Sequence, residues 1–237
     1  MEPTFFAILG LGFLLGLKHA TDADHVVAVT TFVSREQSLL RSCWVGLFWG
    51  AGHTLSLALG GSLIILLKLQ VTDRVTEALE FAVAVMLVVL GVRVLYQIRN
   101  DNLHFHRHSH VHPGNARPHA HWHLHSHGKL HEHANWLHFG LRPLIIGMVH
   151  GAAGTGALML LVLSTIRLPS LAFLYILVFG FGSIAGMLLI SLLLAIPMQW
   201  AAKNVASGYR VVQTAAGVLS CVFGIYLGLG ILSHLLE

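Results

Sequence analysis

Apolar residues along this chain fall into long unbroken blocks, at about 5 to 33, 43 to 67, 75 to 98, 143 to 166, 171 to 197 and 208 to 233. Each block supplies the roughly 20 residues that an α-helix needs to cross the hydrocarbon of a bilayer. A membrane β-barrel would show short alternating segments, and an open sheet would leave its edge hydrogen bonds unmet in lipid. The pattern therefore predicts an all-α integral membrane protein with six transmembrane helices. The first block is expected to remain in the protein as a span, because Glu2 stands where a cleavable leader carries positive charge.

Composition agrees with the pattern. Only 10% of the residues are charged, against roughly 25% in a soluble domain. The basic residues are also unevenly placed. The connections after the first, third and fifth blocks hold Arg35, Arg41, Arg99, Arg107, Arg117, Lys129, Arg142, Lys203 and Arg210, whereas the other side has little beyond Lys68, Arg74 and Arg167. The positive-inside rule then places both termini outside and the long central connection in the cytoplasm. This asymmetry accounts for the net charge of +4 without a nucleic-acid partner. Cys43 and Cys221 form no CxxC pair and read as inert thiols.

The six blocks divide into two sets of three. "FLLGLKHA" at 13–20 aligns with "LIIGMVHG" at 144–151, which sets Gly16 on Gly147 and His19 on His150. "LFWGAGHTLSLALGG" at 47–61 aligns with "LVFGFGSIAGMLLI" at 177–190, placing Gly50 and Gly52 on Gly180 and Gly182, and His53 on Ser183. In the third pair "VVLGVRVLY" meets "CVFGIYLGL", with Gly91 on Gly224. An odd number of spans per half makes the second half enter the membrane from the opposite side. The expectation is two inverted three-helix repeats, residues 1–98 and 143–237, with a substrate site near the midplane between them.

Residues 99–142, between the repeats, carry a histidine-rich tract. Thirteen of the eighteen histidines lie in 104–138. His104, His106, His108, His110 and His112 alternate with other residues, as do His119, His121, His123, His125 and His127, and His131 and His133 follow. The two runs are separated by "PGNARP", which breaks regular structure. The tract cannot build a core and is expected to be a disordered cytoplasmic loop when empty. Dense imidazoles give many overlapping low-affinity sites for transition metals, suited to sequestering or sensing them.

The first block contains "KHATDADHVV" near its middle, which puts His19, Asp22, Asp24 and His25 where lipid-facing residues belong. A central Asp costs roughly 2.5–3.5 kcal/mol to insert, so these groups must face a cavity, pair, or bind a cation. His19, Asp22 and His25, at i, i+3 and i+6, share one face of a regular helix, and Asp24 points away. All four can serve one site only if the helix is broken there. His53, in "WGAGHTLS", and His150, in "GMVHGAAGTGAL", lie at depth on the second and fourth blocks beside glycines that permit close approach. These six residues are the candidate metal ligands.

The pattern H-x4-D-H, here His19, Asp24 and His25, resembles the signature of the nickel/cobalt transporter (NiCoT) family. "GFLLGLKHATDADHVVAVTTFVSR" and "GLFWGAGHT" resemble its shorter urease-accessory, UreH-type, nickel permeases. The resemblance implies a polytopic permease that moves Ni2+, or Co2+, for metalloenzymes such as urease. It implies no prosthetic group, and it makes cytoplasmic metallochaperones candidate partners. Carried onto this chain, His19, Asp24 and His25 become the core transport residues, with His53 as an addition. Longer members have a second-half motif rich in Asp, Thr and Glu, whereas "HGAAGTGAL" here has no carboxylate. His150 is then the second-half candidate, with Thr155 a weaker one.

The expected mechanism is secondary transport of a divalent metal bound at the repeat interface. Imidazoles supply nitrogen ligands, and Asp24 offsets the ion's charge, with Asp22 either ligating or orienting a histidine. The resemblance favours uptake, and an exporter of the same fold is the alternative. A membrane di-iron enzyme needs HxxHH-type boxes, and none occurs in the chain. A sensor worked by the histidine loop would not need carboxylates inside the membrane.

Overall fold

A helix is the one open segment that satisfies its own backbone groups in lipid, and the apolar blocks fold accordingly. A computed structural model of the chain describes residues 3–36, 38–67, 72–100, 104–110, 119–125, 136–153, 168–204 and 206–236. The helices are α1 (Pro3–His19), α2 (Ala23–Val33), α3 (Leu39–Leu67), α4 (Asp73–Asn100), α5 (Trp136–Ala153), α6 (Pro169–Asn204) and α7 (Ala206–Leu236). Among the described residues α3, α4, α6 and α7 are each long and apolar enough to cross a membrane, and the bent pair of α1 and α2 makes a fifth span if counted as one. The block expected at 143–166 is described as far as Ala153, and its remainder lies outside the described residues.

The histidine tract contains two strands, β1 (His104–His110) and β2 (His119–His125), paired antiparallel. The register sets His104, His106, His108 and His110 opposite His125, His123, His121 and His119. An alternating sequence on both strands has this consequence, because opposed positions keep the same parity along an antiparallel ladder. His112, His127, His131 and His133 lie outside the described residues.

The bundle is apolar outside and encloses a set of polar residues within its apolar core. Leu14, Leu59, Val89, Phe181, Leu193 and Val218 are exposed around its girth, whereas His25, His53, His150, Ser183 and Ser191 are completely buried. A continuous apolar exterior of this extent is a lipid-facing surface.

The two sequence halves interleave. α1 packs on α6, α3 on both α5 and α6, and α4 on α7, so each of these contacts crosses from one half to the other. Glycines make the crossings close. A methyl group at Gly16 would strike the carbonyl oxygen of Phe179, one at Gly147 that of Trp49, one at Gly52 that of Leu144, and one at Gly182 that of Phe13. Without a hydrophobic drive between helices in lipid, such backbone-to-backbone approach supplies the packing.

Gly52→Ala and Gly147→Ala are each expected to cost about 1–3 kcal/mol through overpacking and to lower the melting temperature of the purified protein in detergent. Gly60→Ala should leave the melting temperature unchanged or slightly raised, because a methyl group there meets open space. Equal shifts in all three proteins would show that close approach is not the constraint.

Candidate metal centre

The centre begins with the break between α1 and α2. Thr21 N–H donates to the Lys18 carbonyl at 2.9 Å and Asp22 N–H to that of His19 at 3.0 Å, so the last turn of α1 tightens into i→i−3 bonds. Asp22 then takes extended backbone angles, φ −62° and ψ 145°, and caps α2, its carbonyl accepting from His25 N–H at 3.1 Å and Val26 N–H at 3.0 Å. Asp is favoured at such a position, and Asp24 in the first turn of α2 suits the positive end of its dipole. The two helices are bent by 57° at the break. An unwound residue between two half-helices removes the constraint that would have turned Asp24 away from His19 and His25.

Four imidazoles meet there. His25 lies 4.5 Å from His19, 5.1 Å from His53 and 4.0 Å from His150, ring centre to ring centre. His25, His53 and His150 are completely buried and His19 nearly so. Glycines admit the rings from the other helices: Gly147 lies against the backbone of Trp49, and Gly151 against that of His53.

Both carboxylates hold imidazoles. His19 Nδ1 donates to Asp22 Oδ2 at 2.8 Å, while Lys18 Nζ donates to Asp22 Oδ1 at 3.2 Å from the exposed side. Asp24 Oδ1 accepts from His25 Nδ1 and Oδ2 from His150 Nε2, each at 2.9 Å. A carboxylate oxygen accepts, so the ring nitrogens that face it carry the protons. The opposite nitrogens, His25 Nε2 and His150 Nδ1, therefore present lone pairs. His19 Nε2 and His53 Nε2 share one hydrogen bond of 3.2 Å.

Among the described residues His25 Nε2, His53 Nδ1 and His150 Nδ1 are buried with no hydrogen-bond partner. A buried polar atom left unpaired costs about 1–3 kcal/mol, and three in one cluster call for a functional explanation. The geometry offers one. His19, His25 and His53 have ligand atoms within 4.8 Å of one another, and so do Asp24, His25 and His150. The two groups share His25 and make adjoining places for a divalent cation. An imidazole whose far nitrogen is held by a carboxylate is oriented and made more basic as a ligand.

All six residues expected from the sequence are therefore in one neighbourhood. Asp22 reaches the cluster through His19, whereas Asp24 lies in one of the two candidate groups. Sequence reasoning missed the aromatic residues that bound the cluster. Trp49 lies 5.7 Å from His150 and Phe179 5.7 Å from His19. A signal was present, since Trp49 and Phe179 are aligned with each other in "LFWG" and "LVFG".

Comparison with known proteins places the chain in a family. Residues 5–229 match the NicO family, described as high-affinity nickel-transport protein. The chain is 36% identical over 231 residues to "Urease accessory protein UreH" from Bacillus sp. (strain TB-90), covering 95% of this chain and 92% of that protein. No solved structure matches it. With apolar helices fit to cross a membrane and a match over nearly its whole length, the chain is a metal-ion transporter rather than an enzyme and belongs to the NicO family of high-affinity nickel-transport proteins.

Proposed function

We propose that this permease takes up Ni2+, with Co2+ as a second cargo, through a midplane site built from His19, Asp22, Asp24, His25, His53 and His150. The observation that carries the reading is the buried cluster of two ligand groups sharing His25. Imidazole is a borderline donor suited to Ni, Co and Zn, and a single partly buried carboxylate offsets part of the ion's charge. Asp24 has that role in the proposal, holding His25 and His150 so that their free nitrogens face the ion. Asp22 fixes the ring of His19. The cation can be handed from one group to the other through His25 without leaving the shell of nitrogen ligands.

An architecture of six spans in two inverted repeats is supported by the glycine contacts. Gly16 against Phe179 is matched by Gly147 against Trp49, and Gly182 against Phe13 by Gly52 against Leu144. Gly91 lies against Gly217 and Cys221, and Gly224 against Ala84 and Val88. Exchanging aligned residues of the two halves turns each contact into its mate. A two-fold axis in the membrane plane makes that exchange, and it puts the site between the repeats. The basic connections favour termini outside and the histidine loop in the cytoplasm. The opposed histidines of β1 and β2 suit that loop to weak binding of the incoming ion before a metallochaperone collects it.

Accumulation of radioactive nickel in proteoliposomes is expected to exceed that of empty vesicles and to return to their level in His19→Ala. Cells expressing the protein that hold less nickel than controls would instead make it an exporter. Deleting 104–133 should leave most transport intact, whereas a loop-driven sensor would lose its function.

Ligating imidazoles must be unprotonated, so protons compete with the ion and binding weakens as pH falls. Nickel affinity of the purified protein is expected to drop at least about tenfold as pH is lowered from about 7.5 to the lowest value at which the protein stays folded. A flat titration would remove the histidines from the site.

Asp22→Asn should weaken nickel binding by about 10- to 100-fold, as expected when the group orienting a ligand is lost. Asp24→Asn should be worse, since two imidazoles and the nearest charge are affected together. Calorimetric titration compares them, and the reverse order would exchange the roles of the two carboxylates.

A further inference from the structure

A cavity of about 330 Å3 opens at the end of the bundle where α2 stops and α3 starts. Its lining includes Arg35, Arg41, Arg93 and Arg142, with Glu36 as the one carboxylate. The arginines come from the end of α2 and from α3, α4 and α5, so four separate segments converge on one space. Among the described residues Arg41, Arg93 and Arg142 have no ion-pair partner.

These features do not suit a cation. Four guanidinium groups against one carboxylate leave the cavity with three excess positive charges, and a divalent metal would be repelled. Nor does the general excess of basic residues at one membrane face explain it, since that rule sets how many arginines lie on a side and not that they line one cavity. Arg93 is seven residues inside the end of α4. An arginine that deep in a hydrophobic helix is costly unless it faces a polar cavity or a counter-charge.

We infer that this cavity binds a phosphate-bearing anion held by Arg41, Arg93 and Arg142. The planar guanidinium fork matches phosphate oxygens in pairs, which an ammonium does not. Basic pockets between membrane helices at a bilayer surface accept anionic headgroups by this chemistry. A soluble phosphate anion would be held by the same forks. The cavity is close to the metal centre yet separate from it. Phe32 lines the cavity and packs edge-on against Trp49 at 5.6 Å, and Trp49 in turn lies beside His150. A bound anion would offset the guanidinium charge one aromatic layer from the imidazoles.

The test uses the full-length protein and reads anion binding rather than nickel movement, so its failure leaves the permease reading standing. Wild-type protein is placed in nanodiscs of phosphatidylcholine, with or without phosphatidylglycerol, and retained lipid is measured by native mass spectrometry. In detergent, inorganic phosphate is titrated calorimetrically. Retention of phosphatidylglycerol alone identifies a lipid headgroup as the source, and binding of inorganic phosphate identifies a soluble one. In either case R93Q/R142Q should weaken binding about tenfold or more, and R93K/R142K, which keeps charge but loses the fork, should be intermediate. R99Q, on α4 outside the lining, should bind as wild type. If R93Q/R142Q does not purify as a folded protein, R41Q/R142Q replaces it, since Arg41 lies in the first turn of α3. Absence of binding in both arms, or undiminished binding by the folded glutamine variant, would overturn the inference.

Discussion

The carboxylate of Asp24 joins the two halves of the chain at their most polar point. One oxygen accepts from His25, its neighbour on α2, and the other from His150, 126 residues away on α5. The arrangement has severe requirements. Asp24 must lie near the start of a helix rather than within one, two helices from different halves must approach closely, and both imidazoles must be buried without their lone pairs being consumed. The break at Ala20–Asp22 meets the first requirement and the glycines on α5 the second. The third leaves buried ring nitrogens unpartnered, a cost that the rest of the packing has to offset.

The packing follows from the same demand. In lipid, apolar side chains gain little by meeting one another, so a membrane bundle is held by close backbone approach and by its polar groups. Gly147 and Gly151 carry α5 along the backbone of α3 from Trp49 to His53, and so bring His150 beside the residues of the break. Gly16 and Gly182 bring α1 and α6 together in the same manner. Trp49 and Phe179 then close the two sides of the cluster. Because these contacts cross between the halves, the metal centre and the stability of the bundle depend on one another, and a small displacement at a glycine would move a ligand.

Charge is divided along the same axis. The imidazole cluster has carboxylates beside it, while the nearby cavity is lined by guanidinium groups with Glu36 alone opposing them. The aromatic pair of Phe32 and Trp49 separates the two environments.

Much of this was legible in the chain. Long apolar blocks dictated helices, because lipid permits no other open segment, and "HATDADH" marked the polar cluster, because ionisable groups at that depth are too costly to be incidental. Its spacing even required a broken helix, since Asp24 cannot join His19 and His25 on a regular one. His53 and His150 were recognisable from the glycines beside them. The partner of Asp24 was not. That His150 rather than His53 donates to its second oxygen depends on how α5 is rotated against α3, and rotation is set by backbone contacts at Gly147 and Gly151 that local sequence does not encode. The same holds for Asp22, whose hydrogen bond to His19 depends on the turn between α1 and α2, and for the four arginines, which are scattered from residue 35 to residue 142 and meet only in the folded bundle. Sequence alone determined which groups must be buried in lipid, because transfer cost is a property of each residue; tertiary structure alone decided which of them touch, because contact is a property of how helices cross.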